Sequence, residues 1–206
     1  FASLLIPKLT REQELGHKNA VAYITKRAVS SALTFGVITA AIFFAFSDLW
    51  GLAFYQNKDA GRYIGILAPL VPLLYLDVVM DCLLKGLDEQ LNSMKYNIMD
   101  SGLRVVLILI FMGFFGIRSY IAIIFFSAIF NGFLSMRKVV QATNLQLGFL
   151  KQLFYQIPAA MFAVAVSSVL AIPLKASIPL LVFHLLVAYG IYGTLNSLFR
   201  SLQKKD

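Results

Sequence analysis

Five ionisable residues lie in or beside two strongly apolar stretches of the chain. Asp77, Asp81 and Lys85 follow one another at four-residue steps, so they share one face of a helix. Asp100 and Arg104 have the same spacing, with the acid on the N-terminal side, which favours an intrahelical ion pair. An ionisable group inside a membrane span costs about 2.5–3.5 kcal/mol on insertion scales. We therefore expect this cluster to face protein or water, either as the lining of a path for a charged headgroup or protons, or as two structural ion pairs.

The two aspartates of the motif DVVMD also raise the question of enzyme chemistry. Asp77 and Asp81 have the spacing of carboxylates that bind Mg²⁺ in membrane-embedded phosphotransferases, but such sites need further acids at helical spacing, and none follows. The chain contains no H-E-x-x-H, G-x-S-x-G or Walker sequence. The sequence therefore predicts no catalytic residue, no metal site, no cofactor and no enzyme activity, and a lipid-phosphate transferase is the least supported alternative.

A second polar stripe lies near the C-terminus. His184, Ala188, Tyr192 and Asn196 recur at four-residue steps in an otherwise apolar stretch. Such a stripe is typical of a packed helix face whose polar groups are hydrogen-bonded, and a histidine within a span can also couple transport to protons. Both interpretations stay open for His184, Tyr192 and Asn196.

The composition requires a membrane around these residues. Of the 206 residues, 59% are hydrophobic and 14% are charged, whereas soluble domains are about 45–50% apolar and about 25% charged. The net charge of +8 does not indicate a nucleic-acid-binding protein, because the basic residues stand between apolar runs without interleaved aromatic side chains. We predict an all-α polytopic membrane protein, with membrane lipids and no nucleic acid among its partners.

The apolar runs predict about six full transmembrane helices after the end of a seventh. A run of about 20 residues at roughly 1.5 Å rise each crosses the hydrocarbon core of a bilayer. Pro69, Pro72 and Pro158 interrupt two of the runs and are predicted hinges. The predicted full spans cover residues 28–46, 64–84, 97–116, 119–136, 152–172 and 178–199.

The segments between the spans are predicted as polar connections. Residues 47–63 are expected to form a loop with Trp50 and Tyr55 as interfacial anchors, and residues 85–96 a polar hairpin. Thr10 fits the first residue of a capping box, which predicts that a short helix starts there. Thirteen lysine and arginine residues fall on the side of the hairpin and both termini, against four on the other side. This excess predicts that the hairpin and the C-terminus are cytoplasmic.

Several connecting sequences resemble those of a known superfamily. SLLIPKL and the later KRAVSSAL resemble a recurring junction in the multidrug/oligosaccharidyl-lipid/polysaccharide exporter superfamily. LLKGLDEQLNSMKYNIMDSGLRVVLI resembles its stage V sporulation protein B branch, the polysaccharide biosynthesis flippases, and FNGFLSMRKVVQAT fits the same branch. The resemblance implies fourteen spans in two pseudo-symmetric lobes, of which this chain holds the end of span eight to span fourteen. Residues 1–140 would then belong to the C-terminal lobe, and residues 141–206 would form two additional helices with a basic tail.

The resemblance also implies a function. Proteins of this branch are similar to flippases for lipid-linked oligosaccharides and peptidoglycan precursors, which alternate between inward- and outward-open states around a polar cavity. It implies a lipid-linked saccharide as substrate, a role in building the cell envelope or in sporulation, and a bacterial plasma membrane as the location. Coupling to H⁺ or Na⁺ stays open. A cation-coupled multidrug exporter of the same superfamily is the main alternative, and a scaffold without transport is another.

Overall fold

The structure of the chain is a computed structural model that describes residues 2–143, 149–170 and 185–194. Every element in this described part of the chain is helical. In chain order the elements are α1 (Ala2–Glu14), α2 (Lys18–Ala45), α3 (Ser47–Tyr55), α4 (Lys58–Leu67), a 3-10 turn (Ala68–Leu70), α5 (Val71–Gly86), α6 (Gln90–Phe115), α7 (Ile117–Thr143), α8 (Phe149–Leu170) and α9 (Leu185–Thr194).

Several of these helices have the length and composition of membrane spans. Four stretches are long and apolar enough to cross a bilayer, namely Lys18–Ala45, Lys58–Gly86, Gln90–Phe115 and Ile117–Thr143. Two shorter apolar helices cover Gln156–Val166 and Leu185–Thr194. The predicted fold class, an all-α polytopic membrane protein, is confirmed. The four long stretches contain or overlap the first four predicted full spans, and the last two predicted spans extend beyond the described residues.

The predicted loop at residues 47–63 is wrong, because this segment forms α3 and the first part of α4. The side chain of Asn57 accepts a hydrogen bond of 2.8 Å from the N–H of Asp59 and thereby caps the start of α4. The two helices approach each other so closely that a Cβ atom on Gly51 would lie 2.3 Å from the backbone nitrogen of Gly61. The absence of a side chain at both glycines therefore allows a tight helical hairpin where the composition suggested a loop.

The predicted polar hairpin at residues 85–96 is too long, because α6 already begins at Gln90. Asp88 adopts a left-handed backbone with φ of 62°, and the N–H of Glu89 donates to the carbonyl oxygen of Leu84 at 2.8 Å. The N–H of Asp88 completes this Schellman motif with a bond to the carbonyl of Lys85 at 3.4 Å. Aspartate tolerates the left-handed conformation, so the chain reverses within three residues without a glycine.

The predicted capping box at Thr10 is also wrong, because α1 begins at Ala2 and Thr10 lies in its interior. The Thr10 hydroxyl donates to the carbonyl oxygen of Ile6 at 3.0 Å and to that of Gly86 at 3.3 Å. The neighbouring Leu9 is fully buried, and its side chain would lie 2.9 Å from a Cβ atom on Gly86. These contacts hold α1 against the end of α5.

The chain divides into two compact units. The first contains Phe1–Leu33 and Leu73–Leu147, and the second contains Thr34–Pro72 and Gly148–Asp206. The predicted boundary between residues 1–140 and 141–206 stays a prediction. In the second unit, side chains of α2, α8 and α9, together with Phe46 between α2 and α3, form an apolar core. Its members are Val37, Ile38, Ile42, Phe46, Ala160, Ala163, Val164, Ala188 and Tyr192.

Candidate functional site

Helical spacing brings four of the five predicted charged residues together in two ion pairs, both within the first unit. Lys85 Nζ lies 2.5 Å from Asp81 Oδ2 on α5, and Arg104 Nη2 lies 2.6 Å from Asp100 Oδ2 on α6. The Asp100 side chain is 6% exposed, whereas those of Lys85 and Arg104 are 46% and 45% exposed. Both expected intrahelical pairs are present, and in each pair the cation is the more exposed partner.

Serine side chains bind the same two carboxylates. Ser93 Oγ on α6 donates to Asp81, and Ser127 Oγ on α7 donates to Asp100. Arg104 Nε donates to Ser127 Oγ at 3.0 Å, so Arg104, Asp100 and Ser127 form a closed triangle of hydrogen bonds. A buried carboxylate is costly unless it is paired and hydrogen-bonded, and these donors meet that requirement within the protein.

Two asparagine side chains connect the remaining acid, Asp77, to the pair of Asp81 and Lys85. Asn131 Nδ2 on α7 donates to Asp77 Oδ1 on α5 at 2.8 Å and to Asn97 Oδ1 on α6 at 3.2 Å. Asn97 Nδ2 donates to Asp81 Oδ1 at 3.3 Å. Side chains of three helices are therefore linked by hydrogen bonds. We refer to the nine residues Asp77, Asp81, Lys85, Ser93, Asn97, Asp100, Arg104, Ser127 and Asn131 as the polar cluster.

The polar cluster carries more acids than bases. It contains three carboxylates and two cationic side chains, and within the described residues Asp77 makes no ion pair. Asn131 is 4% exposed, and its Oδ1 atom has no hydrogen-bond partner among the described residues. No group of three or more His, Cys, Asp or Glu side chains in this part of the chain is arranged to hold a metal ion. The cluster offers donors and acceptors that suit a polar ligand, water or a proton.

Sequence analysis missed the four uncharged members of the polar cluster. These are Ser93, Asn97, Ser127 and Asn131. A signal was present in α7, where Ser127, Asn131 and Ser135 recur at four-residue steps and all three are buried. Polar side chains at this spacing in an apolar helix mark one face, and that face contacts other protein side chains more often than lipid.

The second predicted stripe lies only partly within the described residues. His184 and Asn196 lie outside them. Tyr192 is 2% exposed and belongs with Ala188 to the apolar core of the second unit. The described part of the stripe therefore packs against other helices, and a transport role for these residues stays a prediction.

The three predicted hinge prolines lie at or inside helices of the described part of the chain. Pro69 lies in the 3-10 turn before α5, Pro72 in the first turn of α5, and Pro158 inside α8. Gly36 on α2 lies against Pro72, since a Cβ atom on Gly36 would be 2.7 Å from Pro72 Cα. Because proline has no N–H, Pro158 removes one backbone hydrogen bond inside α8, whereas Pro69 and Pro72 lie in first turns, where proline is tolerated. Their function as hinges stays a prediction.

A third ion pair of the first unit joins the turn between α5 and α6 to α7. Lys138 Nζ on α7 lies 3.0 Å from Glu89 Oε1, and Asn92 Nδ2 donates to Glu89 Oε2 at 2.5 Å. The hydrogen bond from Lys138, followed by that from Asn92, lowers the pKa of the Glu89 carboxyl below its ordinary value. The pair ties the α5–α6 turn to the end of α7.

Comparison with known proteins gives one match. Residues 13–110 match the MatE family model. This segment, just under half of the chain, includes all five charged members of the polar cluster, and through it the chain is similar to transporters of the multidrug/oligosaccharidyl-lipid/polysaccharide exporter superfamily. MatE proteins are transporters and not enzymes. No curated protein sequence and no solved structure matches the chain significantly.

Proposed function

We propose that the chain, as part of a transporter of this superfamily, moves a lipid-linked saccharide or peptidoglycan precursor across the membrane by alternating access. The observation that carries the proposal is the polar cluster, in which side chains of three spans contact one another inside an otherwise apolar part of the chain. Charged and amide groups at such positions are costly in lipid, and they mark substrate or ion pathways in membrane proteins.

The exposed polar side chains of the cluster suit the task of a flippase. A flippase has to pass a polar headgroup through the bilayer while the lipid tail stays in the hydrocarbon. The headgroup needs a water-filled cavity with a polar wall, because each unsatisfied polar group costs several kcal/mol in hydrocarbon, on the order of 4–8 kcal/mol for an amide or hydroxyl. Lys85, Asn97 and Arg104 are exposed within the first unit. Lys85 is hydrogen-bonded to the partly buried Asp81, Asn97 to the buried Asn131, and Arg104 to the buried Ser127. We assign the three exposed residues to the wall of such a cavity.

The location and energy source belong to the same proposal. We place the protein in a bacterial plasma membrane, and the excess of basic residues beside the hairpin and both termini supports a cytoplasmic position for these segments. Transport across that membrane can be driven by H⁺, by Na⁺ or by the membrane potential, which supplies about 2.3 kcal/mol per charge per 100 mV. The prolines Pro69, Pro72 and Pro158 are the positions where we place bending during the cycle.

A cation-coupled multidrug exporter is the second candidate. The excess of carboxylates in the cluster favours it, because Asp77 has an amide and no cation as its hydrogen-bonding partner within the described residues. An acid in that position suits a proton or another monovalent cation. Both candidates use the same residues, so the transported molecule has to be identified directly.

The test uses the full-length protein in proteoliposomes. One assay follows the accessibility of a fluorescent lipid-linked disaccharide to an external quencher, and a parallel assay follows efflux of a fluorescent cationic drug. The variants Asp77→Asn and Arg104→Gln alter the cluster, and Asp88→Asn and Lys95→Gln make the same charge changes at exposed positions outside it.

The proposal predicts flipping of the labelled lipid by the wild type and both controls, and at least a tenfold loss in the two cluster variants, with unchanged folding in detergent. Drug efflux without lipid flipping would show that the protein is a multidrug exporter and would exclude the flippase. Full flipping and normal folding in both cluster variants would show that the cluster does not line the path.

A further inference from the structure

One face of α1 combines exposed apolar and basic side chains. Leu4, Lys8, Arg11 and Leu15 follow one another at steps of four, three and four residues, which places them on a single side of the helix and its last turn. All four are exposed, Leu4 at 78% and Leu15 at 55%. Leu9 points to the other side and is fully buried. We call these four residues the α1 outer face.

The cations of the α1 outer face are not neutralised by the protein. Neither Lys8 nor Arg11 makes an ion pair within the described residues. The acid nearest in sequence to Arg11 is Glu12, whose Oε2 lies 2.8 Å from Nδ1 of His17. Glu14 is exposed but lies about 90° away from the centre of the face at roughly 100° per residue. The face is therefore positively charged.

The start of α2 continues this pattern. Tyr23 is 63% exposed, and Lys26 and Arg27 beside it are exposed as well. The Arg27 guanidinium donates to the Tyr23 hydroxyl at 3.4 Å, so an aromatic ring and a cation lie together on the surface. Apolar or aromatic side chains next to lysine and arginine are typical of segments that lie in the headgroup region of a bilayer.

We propose that the α1 outer face binds the headgroups of anionic phospholipids on the membrane surface. Leu4 and Leu15 insert among the upper acyl carbons, and Lys8 and Arg11 between them contact lipid phosphate. We infer an anionic lipid because its charge complements that of the face. Each basic residue near an anionic membrane surface contributes about 1 kcal/mol of binding free energy, which corresponds to about fivefold in affinity.

The lipid contact would act on the end of α5. Leu9 packs on Gly86, and the Thr10 hydroxyl donates to the Gly86 carbonyl, so α1 is fixed to the helix that carries Asp77, Asp81 and Lys85. An α1 held at the membrane surface thus stabilises the end of α5 at a defined depth. This role does not depend on which molecule is transported.

The experiment compares the full-length wild type with the double variant Lys8→Gln/Arg11→Gln. Both proteins are reconstituted in nanodiscs of phosphatidylcholine with and without phosphatidylglycerol, and retained lipids are counted by native mass spectrometry while unfolding temperatures are recorded. The control Lys58→Gln/Arg62→Gln removes two exposed charges about one helical turn apart on α4.

We expect phosphatidylglycerol to raise the unfolding temperature of the wild type and of the control. We expect the α1 variant to lose most of that rise, to bind phosphatidylglycerol about 25-fold more weakly, and to unfold like the wild type in phosphatidylcholine alone. About 1 M NaCl, where the screening length is roughly 3 Å, should abolish the difference.

Three outcomes would overturn the proposal. The α1 variant could retain phosphatidylglycerol as the wild type does. The control could lose as much binding, which would indicate net charge and not this face. The α1 variant could also be less stable in pure phosphatidylcholine, which would assign Lys8 and Arg11 to packing. A second variant, Leu4→Ser/Leu15→Ser, should weaken the contact with both lipid mixtures, and an unchanged contact would also count against the insertion.

Discussion

The side-chain amide of Asn131 on α7 donates a hydrogen bond of 2.8 Å to the carboxylate of Asp77 on α5. The same nitrogen lies 3.2 Å from Asn97 Oδ1 on α6, so one residue joins three helices. Asn131 carries no charge and would not be selected by a search for ionisable groups. It nevertheless holds the one acid of the polar cluster that makes no ion pair within the described residues.

Removal of this amide should destabilise the first unit. In Asn131→Ala, the partly buried Asp77 carboxylate loses its amide donor, and the loss of a hydrogen bond to a charged group costs about 1.5–3 kcal/mol. We expect a loss of that size in the free energy of unfolding, measured by denaturant titration in mixed micelles. Ser135→Ala is the control, because Ser135 lies one turn further on the same buried face and makes no side-chain hydrogen bond within the described residues. Equal losses in the two variants would contradict a special role for Asn131.

The ion pair between Glu89 and Lys138 predicts a dependence on pH. The pKa of Glu89 is lowered in the folded protein, so its stabilisation is fully present above the unfolded pKa of about 4.3 and is lost as pH falls through the folded value. The unfolding temperature of the wild type should exceed that of Glu89→Gln at neutral pH, and the gap should close in acid. Because both side chains are about a quarter exposed, the effect should be small, about 0.2–1 kcal/mol.

The control for this pair is Asp88→Asn. Asp88 is the exposed neighbour of Glu89 and makes no ion pair within the described residues. Asparagine also tolerates its left-handed backbone. A gap between the wild type and Glu89→Gln that is the same at every pH, or equal for Asp88→Asn, would contradict the assignment.

Gly36 should not accept a side chain. A Cβ atom there would lie 2.7 Å from Pro72 Cα, which is backbone and cannot move away as a flexible side chain can. We expect Gly36→Ala to lower the free energy of unfolding by about 1–3 kcal/mol, as overpacking does. Gly132→Ala on α7 is the matched control, since no heavy atom lies within 4 Å of the added Cβ. It should be neutral, or stabilising by up to about 1 kcal/mol through helix propensity. A stable Gly36→Ala would show that the helices separate easily at this point.

The parts of the site that are local in sequence could be predicted. Asp81 and Lys85 are one helical turn apart, as are Asp100 and Arg104, and a helix places such residues side chain to side chain whatever surrounds it. The cross-helix bonds could not be predicted in this way. The contact of Ser127 with Asp100 depends on the register between α6 and α7, which the spacing within either helix does not determine.

The long membrane-spanning helices were predicted from the sequence, and the short helices between them were not. Apolar runs give the spans, because a bilayer imposes their length. The helices at residues 47–63 were missed because Gly51 and Gly61 have poor helix propensity, although they are what allows α3 and α4 to contact each other. Asn57 was a cap signal for α4 within that segment.

The central claim is that the polar cluster faces a water-filled cavity, and the most direct test is the chemical accessibility of Asn97. Cys82, the single cysteine of the chain, is first replaced by serine. Asn97→Cys in this background is then treated in membranes with a charged, water-soluble thiol reagent, and Leu109→Cys on the same helix, where leucine is 78% exposed, serves as the lipid-facing control. We expect modification at position 97 that transported substrate slows, and none at position 109. An unmodified position 97 would mean that the cluster lies in a dry protein interior or against lipid. Equal modification of positions 97 and 109 would mean that accessibility does not distinguish the cluster from the outer surface of α6, and with either result the cavity would have to be abandoned.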